Sequence, residues 1–367
     1  MQNPGVMINV TKTYLPPFDE YTAILKRAWD KGWITNHGEL VQELEAKLKA
    51  YLGVEHLLFC SNGTIVLQIA IKALGLTKDI ITTPFSYVAT ANAIAWAGCT
   101  PVFVDIEQTT FTINPNRIEA AITENTQAIL ATHVYGFPCK VEAVEKIAQK
   151  HKLKVIYDAA HAFGSVYNGK SLLNYGDIST CSFHATKLFH TVEGGLVICH
   201  NKEMYHQLLL YRSFGHIGDD YYSIGINGKN SELHAAMGLC LLPKVPDFIV
   251  ERERLFLQYR ETIGSVVTIM DNHETMIAFE WNYAYLPVMM KDSHQRDTLL
   301  AALASKDIFA RKYFAPSLNT LDFYPEKYHC PVSEDIANRI LCLPFYVGMT
   351  DDEFTSITST ILMALAS

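Results

Sequence analysis

The sequence lacks the features that mark nucleic-acid-binding proteins. It has no block of basic residues and no stripe of alternating arginines and aromatic residues. Its formal charge is −8, from 30 Lys plus Arg against 38 Asp plus Glu. Nucleic acid is therefore not an expected partner, because binding to a phosphate backbone requires a basic surface. We interpret the acidic balance as a contribution to solubility.

Features of membrane, secreted and metal-binding proteins are also missing. Residues 1–5 contain no basic segment followed by an apolar run, and no stretch approaches the roughly 18 apolar residues of a membrane span. The eight cysteines are scattered without Cys-x-x-Cys pairing, so neither a metal site nor a disulfide framework is indicated. We expect a cytoplasmic protein with no membrane or metal partner, whose cysteines are mostly small buried hydrophobic residues.

The pattern of apolar segments predicts an α/β protein. A chain of 367 residues is long enough for two domains, which we expect at residues 1–245 and 246–367. Apolar strands alternate with helices in the first domain, which is typical of a parallel or mixed sheet covered on both faces. We expect strands at 56–60, 80–83, 101–105, 128–133, 153–158 and 196–199, and helices at 88–97, 116–123, 141–151, 202–212 and 232–242.

The remaining segments frame this sheet. An N-terminal arm and helix occupy residues 14–52, with the polar loop 33–38 between their two parts. A long helix at 246–263 leads into a smaller α+β domain with strands near 281–288 and 341–344 and helices near 293–303 and 350–366. Thr350 and Glu353 form the pattern of a capping box for the last helix.

A strand, a small polar turn and a helix follow one another around Asn62, Gly63 and Thr64. Backbone N–H groups at the start of a helix suit a phosphate group. Ser61 or Asn62 could instead be an ordinary helix cap, which these residues alone favour because every helix needs caps and few bind anions.

Polar side chains follow two other strands. Asp158 ends a buried strand, and the small residues after it leave space for a planar group, while His161 and Tyr87 are placed to line the same region. In open α/β sheets, ligands bind at the carboxyl ends of the strands. The structural alternatives are a helix cap for Asp158, a hydrogen-bonded core histidine and a core tyrosine. From the residues alone, Asp158 is balanced between the two roles, and the structural role is favoured for His161 and Tyr87.

Lys187 lies between an apolar, β-branched run and the turn Glu193-Gly194-Gly195. Burial of an ammonium group is unfavourable unless its pKa falls or the amine reacts, and Schiff-base formation with an aldehyde is one such reaction. A strand-end lysine that extends to water is the alternative. The stretch around Lys187 leaves both interpretations open. Further along, the polar loop 213–230 is long enough to suggest a functional segment.

Several motifs together resemble one known family, the DegT/DnrJ/EryC1/StrS group of pyridoxal-phosphate-dependent nucleotide-sugar aminotransferases, which have the aspartate aminotransferase (type I) fold. The resemblance covers nearly the whole chain. Its markers are Asn62-Gly63-Thr64, the segments 87–92, 101–105 and 158–162, Ser182-Phe183-His184-Ala185-Thr186-Lys187, Glu193-Gly194-Gly195, Asn227 and Tyr313-Phe314-Ala315-Pro316.

The resemblance implies roles for the strand-end residues. Lys187 would form the Schiff base with pyridoxal phosphate and later transfer the proton, and Asp158 would pair with the pyridinium nitrogen. Tyr87 matches the aromatic residue that stacks on the cofactor ring, and His161 matches the position beside the ring hydroxyl. The resemblance further implies phosphate binding by Gly63, Thr64 and Ser182, and by Asn227 of a second subunit, hence a homodimer with shared active sites.

The same resemblance implies a substrate class. An amino acid, in this family glutamate, would donate nitrogen to a keto group on a nucleotide-linked sugar. Relatives that dehydrate their substrate carry His where this chain has Lys187, so aminotransfer is favoured. The general similarity is to enzymes that aminate C4 of dTDP-4-keto-6-deoxyglucose, in deoxysugar synthesis of the kind that supplies lipopolysaccharide O-antigen.

Two alternatives stay open: amination of a 3-keto isomer at C3, and a non-catalytic regulator that binds the cofactor. The candidates for contact with the sugar nucleotide could equally be surface or interface residues. They are Trp33, His37, Arg212, Lys229, Tyr313 and His329.

Overall fold

The computed structural model describes residues 7–271, 277–324 and 328–366. Residues 1–5, examined above for a leader, lie outside them. The helices are α1 (Phe18–Lys31), α2 (Glu39–Leu52), α3 (Gly63–Ala73), α4 (Ala89–Trp96), α5 (Pro115–Ile118), α6 (Val141–His151), α7 (Lys202–Arg212), α8 (Glu232–Leu241), α9 (Val245–Ile263), α10 (Ser293–Ala304), α11 (Pro331–Arg339) and α12 (Asp351–Leu365). The strands are β1 (Ile8–Asn9), β2 (His56–Cys60), β3 (Asp79–Thr82), β4 (Thr100–Phe103), β5 (Thr126–Thr132), β6 (Lys154–Asp158), β7 (Val166–Tyr167), β8 (Lys170–Ser171), β9 (Ile178–Ser182), β10 (Gly195–Cys199), β11 (His216–Ile217), β12 (Asp220–Tyr221), β13 (Thr268–Ile269), β14 (Phe279–Glu280), β15 (Pro287–Met289), β16 (Ile308–Phe309) and β17 (Ile340–Cys342).

A seven-stranded sheet organises the larger part of the chain, in the order β2-β10-β9-β6-β5-β3-β4. Strand β10 runs antiparallel to both of its neighbours, and the other pairs are parallel. The expected mixed, mostly parallel sheet is therefore confirmed. In this register Asp158 pairs with Thr132 on one side and Thr180 on the other, so three strands present their carboxyl ends at one edge.

Helices cover both faces of the sheet. On one face, α3, α4 and α7 pack their apolar side chains against the strands, and on the other face α6 does so, as the two core clusters show. The strands are apolar on both sides because both faces are covered, which is why they read as continuous apolar runs rather than alternating ones. Each fully buried Leu, Ile or Phe contributes about 1.5–3 kcal/mol.

The C-terminal residues form a second, smaller sheet, β13-β15-β17, and buried residues of α10, α11 and α12 lie in the same core cluster as those of β15 and β17. We retain 246–367 as the proposed smaller domain. The capping box that was predicted for the last helix is confirmed, because the side chains of Thr350 and Glu353 bond reciprocally to the first turn of α12.

Two expected elements differ from those in the structure. The helix expected at 116–123 is the short α5 followed by a 3₁₀ turn, and the chain becomes extended at Ile122. The strand expected at 281–288 is reduced to β15, because Trp281 and Asn282 direct their side-chain N–H groups to the carbonyls of Tyr135 and His161. An irregular segment, 281–286, therefore lies beside the carboxyl ends of the strands.

One helical stretch, Glu232–Ile263, is long and apolar enough by composition to cross a membrane, although 56% of its apolar window is buried inside the fold. Helix α8, at its start, packs against α1 and α2. All eight cysteines are free and buried. In the described part of the chain, no group of three or more His, Cys, Asp or Glu residues is placed to hold a metal ion.

Candidate active site

A cavity of about 610 Å³ opens at the carboxyl ends of the central strands. It brings together seven of the residues that were expected to bind the cofactor: Gly63, Thr64, Tyr87, Asp158, His161, Ser182 and Lys187. Two larger grooves, of about 700 and 650 Å³, contain none of these residues. The chemistry of the lining, rather than its volume, therefore identifies this cavity as the candidate site.

Lys187 follows β9 by five residues, and its backbone N–H donates to the carbonyl of His184. Its side-chain amine lies inside the cavity, with Nζ donating to the hydroxyl oxygen of Tyr285 at 3.1 Å. Burial lowers the pKa of the Lys187 amine, whereas the Tyr285 hydroxyl and the Asp158 carboxylate raise it, and the net direction is upward. The amine is thus held by one specific contact rather than extending into water.

Asp158 ends β6 and is 5% exposed. Its Oδ2 accepts a hydrogen bond from the Thr90 hydroxyl at 2.7 Å, and its Oδ1 accepts one from the Ala160 N–H at 3.1 Å. Burial raises the pKa of this carboxyl, and these two donors and the Lys187 charge oppose the rise. A carboxylate in this position is stabilised by a further cationic N–H donor, which a protonated ring nitrogen provides.

His161 is buried and lines the same cavity as Asp158. Its Nδ1 accepts a hydrogen bond from the Tyr135 N–H at 3.2 Å, so the ring proton is assigned to Nε2. Burial, with a smaller contribution from the Lys187 charge, lowers the pKa of the imidazole well below its ordinary value. Phe314 stacks on the ring at 5.3 Å and 6°. The geometry leaves Nε2–H as a donor at the cavity wall.

The start of α3 combines a helix cap with a close strand contact. Asn62 Oδ1 accepts hydrogen bonds from the backbone N–H groups of Thr64 at 3.0 Å and Ile65 at 2.8 Å, so Asn62 caps the helix. These two N–H groups are therefore already used and are not available to an anion. A Cβ on Gly63 would lie 2.7 Å from Ser182 Cβ, which explains the glycine. The Thr64 and Ser182 hydroxyls line the cavity at the positive end of the helix dipole.

Tyr87 and Asn227 lie further out. The Tyr87 ring is 58% exposed at the wall of the cavity, where one of its faces is available to a planar ligand. Asn227 is exposed on the 213–230 loop and is absent from the lining of the cavity of its own chain. A role for Asn227 in phosphate binding therefore requires a second copy of the chain.

Arg212 corrects one expectation. It is 2% exposed, and its Nη1 donates to Glu45 at 3.0 Å and to the carbonyl of Phe59 at 3.2 Å. This guanidinium belongs to an internal ion pair and is not accessible to a diphosphate. His37 belongs to the same network, because its Nε2 lies 2.8 Å from the second oxygen of Glu45, although its ring remains partly exposed.

The other candidates for substrate contact are spread over the surface. Tyr313 lines the cavity, and Trp33 is exposed on the loop between α1 and α2. Lys229 lies with Nζ 4.7 Å from the centre of the Phe214 ring, and burial lowers the pKa of its amine. His329 is exposed and does not line the cavity. Within a single chain, the structure therefore brings Tyr313 to the site and leaves the other three outside it.

Several residues of the site escaped the sequence analysis. Thr90 lies in a motif that was recognised, but no role was assigned to its hydroxyl. Tyr285, Arg311 and Phe314 reach the cavity from the C-terminal part of the chain, more than 90 residues after Lys187. Phe314 lies in the recognised motif 313–316, although no role was assigned to it, and the only other local signal is the density of aromatic residues in 279–285.

Comparisons with known proteins agree with this geometry. The model of the DegT/DnrJ/EryC1/StrS aminotransferase family matches residues 19–362. The chain is 41% identical to a dTDP-4-amino-4,6-dideoxy-D-glucose transaminase of Shigella dysenteriae over 362 residues, covering 96% of this chain and 98% of the relative. It is 37% identical to a transaminase of the same name from Escherichia coli, covering 97% and 98%.

A solved structure of DesI, crystallised in the presence of its TDP-sugar product, superposes with a TM-score of 0.93 at 30% identity, covering 99% of this chain and 95% of that chain. The resemblance that was inferred from the motifs is confirmed by the family match, and so is the expectation of a transaminase. The protein belongs to the DegT/DnrJ/EryC1/StrS aminotransferase family.

Proposed function

We propose that this protein transfers an amino group from glutamate to C4 of dTDP-4-keto-6-deoxyglucose, giving dTDP-4-amino-4,6-dideoxyglucose, with pyridoxal phosphate as cofactor. The observation that carries the proposal is that one cavity is lined by the Lys187 amine, which is hydrogen-bonded to Tyr285, by the buried Asp158 carboxylate and by the N–H of His161. The full-length similarity to two transaminases named for this product supports the choice of sugar and carbon.

The lining fits the cofactor at each end. Pyridoxal phosphate, when bound, supplies an aldehyde for amine capture and an electron-withdrawing ring. Asp158 would accept a hydrogen bond from the protonated ring nitrogen, which would relieve the unfavourable burial of its charge, and His161 Nε2–H would donate to the ring hydroxyl. The Thr64 and Ser182 hydroxyls would donate to the phosphate at the start of α3 together with the Gly63 N–H. Tyr87 would cover one face of the ring.

Lys187 performs the proton transfer. Its amine lines the cavity. In its neutral form it would take the proton lost by the carbon on one side of the transferred nitrogen, and the resulting ammonium would give a proton to the carbon on the other side. The Asp158 carboxylate would hold the proton on the ring nitrogen during this transfer. A second function, a non-catalytic regulator that binds the cofactor, has no observation in its favour, because Lys187, Asp158 and Ser182 are all in place.

The cavity continues into an adjoining one that suits the nucleotide part of the substrate. This neighbour, of about 470 Å³, shares Tyr87, Arg311 and Tyr313 with the main cavity. Arg311 is exposed there, with its guanidinium carbon 5.4 Å from the centre of the Tyr313 ring. A cation beside an aromatic ring is suited to a diphosphate and a base, which supports a nucleotide-linked rather than a free sugar.

We also propose a homodimer in which Asn227 reaches the phosphate site of the partner copy. The segment around Asn227 exposes large apolar side chains, including Tyr221 at 79% and Ile224 at 90%. Large apolar side chains exposed close together along one segment favour an interaction surface. Trp33 and Lys229, which lie outside the cavity of their own chain, would contribute to the site in the same way.

The test is incubation of the purified protein with pyridoxal phosphate, glutamate and dTDP-4-keto-6-deoxyglucose, followed by NMR of the product. Nitrogen on C4 is the expected result. An amino group on C3, obtained with the 3-keto isomer instead, would replace the proposed regiochemistry with the alternative. No aminated sugar from either substrate, with glutamate or other amino acids, would refute the proposal.

A further inference from the structure

Tyr285 reaches the active-site amine from the C-terminal part of the chain. Its hydroxyl oxygen accepts a hydrogen bond from Lys187 Nζ at 3.1 Å, and the same nitrogen lies 5.7 Å from the centre of its ring. The ring packs against His161 in a T-shaped arrangement, with centroids 4.9 Å apart at 68°. The residue therefore touches both the amine and the histidine of the proposed mechanism.

We propose that Tyr285 is a catalytic residue whose hydroxyl holds the Lys187 amine through one N–H, so that the lone pair of the amine points at the reacting carbon. This inference rests on the aminotransferase function proposed above and adds a residue that the sequence did not reveal. The proton moves as follows: the C–H bond breaks, its electrons stay with the carbon, and the proton joins Lys187 Nζ. Tyr285 keeps its own proton throughout.

The backbone around Tyr285 is clamped, so the hydroxyl is placed before any ligand binds. The Asn282 side chain donates to the carbonyls of His161 at 2.7 Å and Phe163 at 2.9 Å. Arg252 Nη1 donates to the carbonyls of Tyr283 and Ala284, each at 3.1 Å. The Asn282 bonds tie the segment to the loop that follows Asp158, and the Arg252 bonds tie it to α9. The carbonyls of Tyr283 and Ala284 thus accept from a side chain rather than from a neighbouring strand.

Aromatic rings fix the side chain as well. Tyr135 lies 5.6 Å away at 52°, and Tyr313 lies 6.1 Å away at 85°. A side chain with this many fixed neighbours loses little further freedom when it bonds the amine, and preorganised hydrogen bonds of this kind are the ones that contribute to catalysis.

The groups that face the Lys187 amine set the direction of the expected pH effect. They are Tyr285, Asp158, Cys181, His161 and Tyr313. Burial lowers the pKa of the amine, and the Tyr285 hydroxyl is among the groups that raise it. Without the Tyr285 hydroxyl, one of the groups that raise the pKa of Lys187 is lost while the lowering effect of burial remains. The pKa of Lys187 should therefore fall.

The test compares Tyr285→Phe with Tyr283→Phe. The control also loses a largely buried tyrosine hydroxyl from the same segment, but that hydroxyl donates to Glu253 at 3.0 Å and does not contact Lys187. Single-turnover rates of the cofactor-loaded proteins with glutamate are measured across pH. We expect Tyr285→Phe to be slower by roughly 10- to 1000-fold, within the range of lost proton-transfer and orientation effects. The rise of the single-turnover rate with pH, which follows deprotonation of Lys187, should move to lower pH. The affinity for the cofactor should stay within about 2-fold of wild type.

A second readout needs no activity. Competitive acetylation of the cofactor-free protein, quantified by mass spectrometry, reports the pH midpoint of Lys187 itself. The midpoint should fall in Tyr285→Phe and stay unchanged in Tyr283→Phe. If the variant turns over at the wild-type rate with an unchanged limb and midpoint, or loses cofactor affinity alone, Tyr285 is not catalytic. If the wild-type protein reacts with no amino donor, the proposed function is wrong. The pH midpoint of Lys187 acetylation then still tests whether Tyr285 forms a hydrogen bond with Lys187.

Discussion

The buried carboxylate that is proposed to bind the ring nitrogen depends on a chain of hydroxyl groups, and Thr90→Val tests that dependence. Thr90 lies in the first turn of α4 and donates to Asp158 at 2.7 Å. Its own oxygen is 2.7 Å from the Ser86 hydroxyl, which is 3.0 Å from that of Thr132. All four side chains are buried, so water cannot replace a lost partner.

The size of the effect follows from the geometry. Valine has the shape of threonine, so Thr90→Val opens no cavity. It removes the hydrogen bond between Ser86 and Thr90 and, of more consequence for the cofactor, the hydrogen bond to the charged Asp158. Such a bond contributes about 1.5–3 kcal/mol. Because about 1.4 kcal/mol corresponds to a factor of ten, the affinity for pyridoxal phosphate should fall by roughly 10- to 150-fold. Thr90→Ser keeps the hydroxyl and should stay much closer to wild type.

A pH dependence accompanies this loss. Burial already raises the pKa of Asp158, and the Thr90 hydroxyl opposes that rise. In Thr90→Val the pKa should be higher still. The ionised carboxylate, which binds a protonated ring nitrogen, is lost as pH falls through the pKa. The acid limb of cofactor affinity should therefore lie at higher pH in Thr90→Val than in wild type.

The assay is titration of cofactor-free protein with pyridoxal phosphate at several pH values, followed by absorbance, with far-UV circular dichroism to confirm that each variant folds. Equal affinity and an equal acid limb in wild type and Thr90→Val would refute the reasoning. A loss in Thr90→Ser as large as in Thr90→Val would assign the effect to packing of the methyl group instead.

Three further predictions concern other parts of the chain. Lys187→Ala should lower aminotransfer by at least 10²–10⁴-fold with an unchanged circular dichroism spectrum, and retained multiple turnover would exclude Lys187 from catalysis. Arg212→Met should lower the free energy of unfolding by about 3–5 kcal/mol, because it leaves the buried Glu45 carboxylate without the Arg212 cation. Urea unfolding measures this change, and a loss under 1 kcal/mol would contradict the prediction. Asp105→Ala should lower the free energy of unfolding by about 2 kcal/mol in the same assay, since Asp105 accepts hydrogen bonds from the N–H groups of Val332 and Ser333 at the start of α11. An unchanged urea midpoint would show that these two hydrogen bonds do not stabilise the fold.

Local patterns predicted the central sheet and marked Asp158 and Lys187 as candidates, whereas their roles were inferred from the family resemblance. Apolar runs that end in a polar residue marked the strand before Asp158, and an isolated lysine beside Glu193-Gly194-Gly195 marked Lys187. These signals are local, because the residues that make them are neighbours in the chain. Both residues line the same cavity, although their shared position follows from sheet topology rather than from either motif.

The errors concern contacts between distant residues. Arg212 was expected at the substrate because a diphosphate needs cations, yet its partner is Glu45, 167 positions away. Tyr285 was missed for the same reason, since 98 positions separate it from Lys187. Strand propensity around Trp281 was overridden by side-chain bonds to distant carbonyls. Such pairings depend on the fold, and a single sequence does not record them.

The central claim is that Lys187 is the covalent partner of pyridoxal phosphate in this cavity, and reductive trapping tests it most directly. The protein is incubated with the cofactor, reduced with borohydride, digested, and analysed by peptide mass spectrometry. The account predicts a phosphopyridoxyl group on the peptide that contains Lys187, and none in Lys187→Ala. Absence of the adduct, or an adduct on another lysine that persists in Lys187→Ala, would contradict it.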